Sequence, residues 1–119
     1  MSKSETYRKL VGEVYNVFNK IWNIPKTGRH PGAILKVNSR YRSVIASKGT
    51  DEKYIRNLWK TYYIIIKPDK TNGLTKDTAF EKTPMPISVR KLQTNDRIGC
   101  MSKADLDRLR EACFTPSKK

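Results

Sequence analysis

Apolar residues in this chain come in short runs, and residues that favour turns separate the runs. The longest run, residues 62–66 (Tyr-Tyr-Ile-Ile-Ile), has five members, whereas a membrane-spanning helix needs roughly 20. Residues 24–32 contain two prolines and two glycines in nine positions, which predicts a constrained loop. We therefore expect several short β-strands joined by turns.

Amphipathic patterns at the two ends of the chain predict two helices. Over residues 4–23, apolar side chains recur at spacings of three or four, and Pro25 ends the pattern. Residues 103–114 show the same spacing after an N-cap at Ser102. The 119 residues thus predict one α+β domain. An N-terminal amphipathic helix occupies residues 1–24, and residues 28–114 form a small, strongly bent antiparallel sheet or partly closed barrel with the terminal helix.

Alternation and β-branched residues predict the strands of this core. The predicted strands are residues 33–37, 41–46, 61–67, 78–80 and 87–92. The first two form a hairpin, and residues 47–53 are predicted as a polar loop. Trp22 and Trp59 are expected in the core.

The chain carries 25 Lys and Arg against 11 Asp and Glu, a net charge of +14. Such an excess predicts a polyanionic partner, namely RNA, DNA or an anionic membrane surface. The charge is uneven, because residues 14–50 contain seven cations and no acidic residue. We expect a phosphate track there, with nucleic-acid contacts from Lys26, Lys36, Arg40, Arg42 and Lys48. Tyr41 either stacks on an unpaired base or packs within the hairpin.

Four segments of the core occur in a familiar order. They are residues 28–35 (Gly-Arg-His-Pro-Gly-Ala-Ile-Leu), residues 44–47 (Val-Ile-Ala-Ser), residues 72–78 (Asn-Gly-Leu-Thr-Lys-Asp-Thr) and residues 97–106 (Arg-Ile-Gly-Cys-Met-Ser-Lys-Ala-Asp-Leu). In this order the segments resemble the MazF/PemK toxin family. The resemblance implies an SH3-like barrel with a terminal helix and metal-independent endoribonuclease activity on RNA. It also implies a toxin–antitoxin system in which a homodimer is neutralised by an antitoxin.

The chain departs from the family pattern in two places. The family usually begins with a β-strand that leads into its Gly-rich loop, whereas residues 4–23 of this chain predict a helix. The best-known members have Arg before the proline, whereas here His30 precedes Pro31 and the arginine, Arg29, stands one position earlier.

The implied reaction needs a base for the 2′-OH, an acid for the leaving oxygen and cations for the phosphorane charge. His30 is the one histidine of the chain, and we expect it to act as base or acid, with Arg29 as a phosphate clamp that lowers the histidine pKa. The alternative for His30 is packing against Pro31. Ser47 matches the Ser or Thr of the family, whose hydroxyl would bond a phosphate oxygen; the alternative is that Ser47 is an ordinary turn residue. Thr50 is a nearby substitute for the same role.

Arg90 resembles the arginine on a later strand of the family, where it would contact phosphate; alternation along a strand also explains an exposed arginine there. With two cysteines and one histidine, we expect neither a disulfide framework nor a metal site, and no cofactor. The N-terminus lacks the pattern of a secretory signal, so a cytoplasmic location without membrane contact is expected.

Three classes of function fit these features. The first is a MazF/PemK-like protein that binds single-stranded RNA, rather than DNA, and cleaves it. The second is a nucleic-acid-binding barrel that keeps the fold and the charge without the chemistry. The third is a small basic interaction or inhibitor module whose partner is an acidic protein, docked through the predicted N-terminal helix.

Overall fold

The computed structural model of the protein describes residues 10–114, which form a mixed α+β structure around one antiparallel sheet. The sheet has seven strands: β1 (Glu13–Phe18), β2 (Arg29–Asn38), β3 (Ser43–Asp51), β4 (Tyr63–Ile66), β5 (Thr78–Glu81), β6 (Met85–Ser88) and β7 (Asp96–Cys100). Two helices follow the later strands, a single turn α1 (Val89–Leu92) and the terminal α2 (Lys103–Phe114).

The strand order is β4-β5-β3-β2-β1-β7, and β6 also pairs with β3. The sheet is therefore open in the described residues, with β4 and β7 at the ends of this order. β3 changes partner along its length, because Ser43–Ala46 pair with β6 and Gly49–Asp51 pair with β5. The end of β3 thus lies beside β5 on one side and, through its antiparallel pairing with β2, beside the start of β2 on the other.

Both faces of the central strands are buried, and each face has its own apolar cluster. One cluster packs Tyr15, Val17 and Trp22 with Leu92 of α1. The other packs Val14 and Leu35 with Leu109 of α2. Because neighbouring residues of a strand point to opposite faces, β1 is apolar on both sides.

The predicted N-terminal helix is wrong over the part of residues 4–23 that the structure describes. Residues 13–18 are strand β1, and residues 10–12 and 19–23 are turns; residues 1–9 lie outside the described residues. Strands buried on both faces lose their alternation of polar and apolar residues, so their sequence resembles that of a buried helix. Gly12 (φ 93°) and Asn23 (φ 63°) adopt positive φ angles, which a right-handed helix does not contain.

Other boundaries differ from the predicted ones. β2 already begins at Arg29, and β3 continues through Asp51 across the predicted loop of residues 47–53. The predicted strand of residues 87–92 is split, since β6 ends at Ser88 and Arg90 lies in α1. β7 was not predicted from the sequence.

The terminal helix is confirmed, with its predicted bounds and with the Ser102 hydroxyl accepting a hydrogen bond from the Asp105 amide at 3.2 Å. Among residues 10–114, no helix combines the length and apolar character needed to cross a membrane.

Candidate active site

A cleft of about 530 Å³ lies where β2 begins and β3 ends. Antiparallel pairing of β2 with β3 brings these two strand ends together, and the loop before β5 forms the opposite wall. Its polar and charged lining comes from Asn16, Arg29, His30, Thr50, Asp51, Tyr54, Thr75, Lys76 and Thr78. Arg29 and His30, predicted as neighbours in one loop, thus lie in this cleft with groups from β1, β3, β5 and the segments that follow β3 and precede β5.

The cleft depends on a close approach between the loop at Gly73 and strand β7. Gly73 has φ 72° and lies so near β7 that a Cβ at this position would be 2.0 Å from the Ile98 carbonyl oxygen. Glycine is the residue that tolerates both the positive φ and the missing space. The loop can therefore place Leu74, Thr75 and Lys76 along the cleft.

The imidazole of His30 is held by Asn19. His30 Nδ1 is 2.6 Å from Asn19 Oδ1, and the other end of the same amide, Nδ2, donates to the Thr27 carbonyl at 3.5 Å. The amide oxygen can only accept a hydrogen bond, so His30 Nδ1 carries the proton in the neutral ring. Nε2 is then the unprotonated nitrogen, the arrangement that a general base requires.

The surroundings of His30 also favour its neutral form. Burial lowers the pKa of His30 below its ordinary 6.5, the charge of Lys48 lowers it further, and Glu81 opposes both effects. The predicted direction of the shift is confirmed. The predicted cause is different, because burial comes first and the contributing cation is Lys48 rather than Arg29.

Arg29 is held from two sides. Its guanidinium lies 4.2 Å from the centre of the Phe18 ring, and Nη1 donates to Asp96 Oδ2 at 3.2 Å. Asp96 is largely exposed, so water or a phosphate can take its place. Arg29 is thus a positioned cation that lines the same cleft as His30.

Lys76 is a second cation of the cleft that sequence reasoning missed. Its Nζ lies 3.2 Å from Asp51 Oδ2. Burial alone would raise the pKa of Asp51, but hydrogen bonds from Lys53 and Lys76 and the charges of both lysines outweigh it and lower the pKa. Asp51 therefore stays ionised at neutral pH and holds Lys76 in place. Lys76 belongs to the segment that carried the family resemblance, so a residue-by-residue reading of that segment would have found it.

Ser47 lies outside the cleft, contrary to its predicted role. Its side chain is fully buried and its hydroxyl donates to the Glu81 carbonyl at 2.6 Å. Thr50, the substitute named from the sequence, lines the cleft instead. Side chains alternate along a strand, so residues 47 and 50 of β3 point to opposite faces.

The predicted phosphate track is divided. Lys26 lines a hollow of about 490 Å³ that adjoins the cleft at Arg29, together with Lys20. Lys48 pairs with Glu81 at 3.2 Å. The other candidates lie on the remaining length of the β2–β3 hairpin or on α1, namely Lys36, Arg40, Tyr41, Arg42 and Arg90. Tyr41 is 69% exposed and does not pack within the hairpin.

Trp22 is buried as predicted, and its indole Nε1 donates to the His30 carbonyl at 3.2 Å. Trp59 is 49% exposed, so its predicted place in the core is wrong.

Within the described residues, no three His, Cys, Asp or Glu side chains are grouped so that they could hold a metal ion. No protein-family model matches the chain, and no curated protein matches it.

Proposed function

We propose that this protein binds single-stranded RNA in the cleft and cleaves it without a metal, as a MazF/PemK-like endoribonuclease. One observation carries the proposal: the proton of His30 is fixed on Nδ1 by Asn19, in a cleft that also holds Arg29, Thr50 and Lys76. The cleft is thus lined by a neutral imidazole, two cations and a hydroxyl, which are the kinds of group that phosphodiester transesterification uses.

In the proposed reaction, His30 Nε2 removes the proton from a ribose 2′-OH. The 2′-oxygen attacks the adjacent phosphorus, and the bond from phosphorus to the 5′-oxygen breaks. The imidazolium of His30 returns the proton to the leaving 5′-oxygen. The products are a 2′,3′-cyclic phosphate and a 5′-OH, so protons and electrons balance without a co-reactant.

Arg29 and Lys76 are the groups proposed to stabilise the charge of the phosphorane. Each is already held by a carboxylate, Arg29 by Asp96 and Lys76 by Asp51, at 3.2 Å in both cases. A phosphate that takes over these contacts meets cations whose positions are set in advance, which lowers the reorganisation cost in the transition state. The Thr50 hydroxyl, in the same cleft, donates to a phosphate oxygen.

Strand β1 supports the family resemblance at a point where the sequence did not. The family begins with a strand that leads into its Gly-rich loop, and β1 leads into residues 19–28, a loop closed by the Asn19 amide donating to the Gly28 carbonyl at 2.9 Å. On this basis we propose that the open sheet is a divergent form of the SH3-like barrel. The proposal includes a homodimer, an acidic antitoxin as partner and the cytoplasm as the site of action.

The test is incubation of the full chain with a mixed-sequence single-stranded RNA in EDTA, for the parent protein and for His30→Gln. We expect discrete products ending in 2′,3′-cyclic phosphate from the parent. The variant should lose about 10²- to 10⁴-fold in rate while its RNA affinity stays close to the parent's. The Tyr41→Leu variant, at the far end of the hairpin, is the matched control and should cleave like the parent. Equal cleavage by His30→Gln contradicts the assignment.

RNA binding without cleavage is the second candidate function. The departure from the family pattern favours it, because His30 stands before Pro31 where the best-known members have Arg. This candidate predicts salt-sensitive RNA binding and no products at any pH. The interaction module proposed from the sequence loses its docking helix over the described part of residues 4–23, where β1 and turns stand instead.

A further inference from the structure

The exposed aromatic side chains of this protein are concentrated in one segment. Among residues 10–114, six large apolar or aromatic side chains are exposed, and four of them belong to residues 54–62. These four are Tyr54, Leu58, Trp59 and Tyr62. We call Tyr54, Trp59 and Tyr62 the aromatic platform. Large aromatic rings that are exposed to water together, in one patch, indicate a binding surface.

The platform is held in place by its backbone. It consists of two 3₁₀ turns, Glu52–Tyr54 and Asn57–Tyr62, between β3 and β4. The Glu52 amide donates to the Asp77 carbonyl at 3.0 Å and the Lys82 amide donates to the Tyr62 carbonyl at 3.1 Å. An ion pair from Lys60 to Glu52, at 2.7 Å, ties the second turn to the first. A ligand would therefore meet rings that are already positioned.

Trp59 and Tyr62 are in tilted contact, with ring centres 5.8 Å apart and planes inclined by 36°, so a flat ligand would stack on the outer faces of this pair. Two hollows adjoin Trp59: one of about 330 Å³ is also lined by Tyr62 and Glu81, and another of about 340 Å³ is also lined by Tyr54 and Arg56. These volumes are at the small end of the range for ligand pockets, roughly 300–1,000 Å³.

The platform is continuous with the candidate active site. Tyr54 lines the cleft that holds His30 and also the hollow beside Trp59. A strand of RNA whose phosphate lies at His30 therefore has Tyr54 as its next neighbour and Trp59 beyond it.

The charges around the rings select an anionic ligand with flat apolar groups. Lys53 Nζ lies 5.0 Å from the centre of the Tyr54 ring, and Arg56 lines the hollow between Tyr54 and Trp59. Rings alternating with cations match a polymer whose bases alternate with phosphates. Lys53 is already paired with Asp51 Oδ2 at 3.9 Å, so the match to an anionic ligand rests on Arg56, which lines the hollow itself.

We propose that the aromatic platform stacks the unpaired bases of single-stranded RNA that flank the phosphate held in the cleft. This inference rests on the proposed function, which supplies the RNA. The platform gives affinity through the faces of the bases, which all four bases share, so it holds the strand without reading its sequence.

The test uses the full chain and a 2′-O-methyl RNA of about five nucleotides, near the short end of the length that one single-strand site covers, so that it does not reach the far end of the β2–β3 hairpin; the methyl groups block cleavage. Trp59→Leu and Tyr54→Leu should each lose about 5- to 150-fold in affinity at fixed salt. Their salt slope should stay equal to the parent's, because the rings release no counterions. Tyr41→Leu, equally exposed but distant, should bind like the parent.

Tryptophan fluorescence gives a second measurement. The protein has two tryptophans; Trp22 is buried and Trp59 is exposed. RNA should quench the parent's emission and leave that of Trp59→Phe almost unchanged.

The outcomes separate this inference from the proposed function. Suppose that the parent binds and cuts RNA and that the ring variants bind it as tightly as the parent. This result would overturn the proposal for the aromatic platform and leave the proposed function standing. A parent that binds no RNA would overturn both. An acidic protein whose binding is lost in Trp59→Leu, with RNA affinity unchanged, would assign the platform to a protein partner and overturn the inference.

Discussion

His30 works, in the proposed reaction, only if its proton stays on one nitrogen. Asn19 provides this, because its amide oxygen is 2.6 Å from His30 Nδ1 and its amide nitrogen is turned toward the Thr27 carbonyl. The two residues are 11 positions apart and meet because β1 and β2 pair, with Val17 opposite His30. Asn19 is thus a positioning residue, and His30 is the group that touches the reacting atoms.

The first residue-scale prediction concerns pH. A base must be unprotonated, and burial with Lys48 lowers the pKa of His30 below 6.5, so the midpoint of the acid limb of kcat/KM should lie below pH 6.5. Lys48→Ala should move this acid limb to higher pH and Glu81→Gln to lower pH, because the two charges act in opposite directions. Initial rates across the acid range measure the limb. If the acid limb moves in neither variant, His30 is not the group whose protonation lowers the rate.

The second prediction concerns Asn19. Asn19→Asp keeps an acceptor for Nδ1 and adds a negative charge, so the acid limb should move to higher pH while activity is retained above it. Asn19→Ala removes the acceptor and should lower kcat about 10- to 100-fold with little change in KM. Rates of the three proteins over the same pH series decide the matter. If Asp and Ala variants lose equal activity with identical pH profiles, Asn19 is merely structural.

At the scale of elements, the loop between β4 and β5 shapes one wall of the cleft through a single buried side chain. Asn72 is fully buried. Its Oδ1 accepts from the Leu74 amide at 3.0 Å and from the Asp69 amide at 3.3 Å, and its Nδ2 donates to the Lys67 carbonyl at 2.9 Å. This side chain replaces the backbone pairing that a strand would give these groups.

Asn72→Ala leaves those three backbone groups without their partner in a buried loop. We expect a loss of about 2–4 kcal/mol in the free energy of unfolding, measured by urea denaturation. The matched control is Asn57→Ala, an exposed asparagine at the start of a 3₁₀ turn, which should stay within about 0.5 kcal/mol of the parent. If Asn72→Ala loses less free energy of unfolding than Asn57→Ala, water takes over the hydrogen bonds of the Asn72 side chain and this prediction is wrong.

Local signals predicted some elements well. The terminal helix was predicted because its N-cap and its apolar spacing lie within or next to its own residues. β1 was missed because both of its faces are covered, by α2 on one side and by Trp22 and α1 on the other. The sequence of residues 13–18 does not show whether one face of the segment or both faces are buried.

At the scale of the whole molecule, the excess positive charge is spread over distant ends of the β2–β3 hairpin. His30 lies near the start of β2, and Arg40 and Arg42 lie just past its end; at about 3.3 Å per residue, the strand between residues 30 and 38 spans roughly 26 Å. The acid-free stretch of residues 14–50 is therefore continuous in sequence but divided in space. Near the cleft, Lys20, Lys26, Arg29 and Lys76 remain.

This division predicts how salt weakens RNA binding. With about four phosphate contacts near the cleft, the affinity for an RNA of about five nucleotides, which has four phosphodiesters, should fall about 50-fold between roughly 50 and 200 mM salt. Lys26→Ala should reduce the slope of log affinity against log salt by about 0.7. Arg42→Ala, at the far end, should leave it unchanged for so short an RNA. Equal effects of the two variants would mean that the short RNA does not bind at the cleft.

The sequence by itself determined the properties that depend on neighbours in the chain or on totals: the net charge, the terminal helix, the turns, and the pairing of His30 with an adjacent arginine. Only the tertiary structure decided that residues 13–18 are a strand, that Thr50 and Lys76 rather than Ser47 line the cleft, that Asn19 holds His30, and that Trp59 is exposed. These properties depend on which face of each segment is buried by another part of the chain. That burial is decided by contacts between residues tens of positions apart, so a local pattern of residues does not predict it.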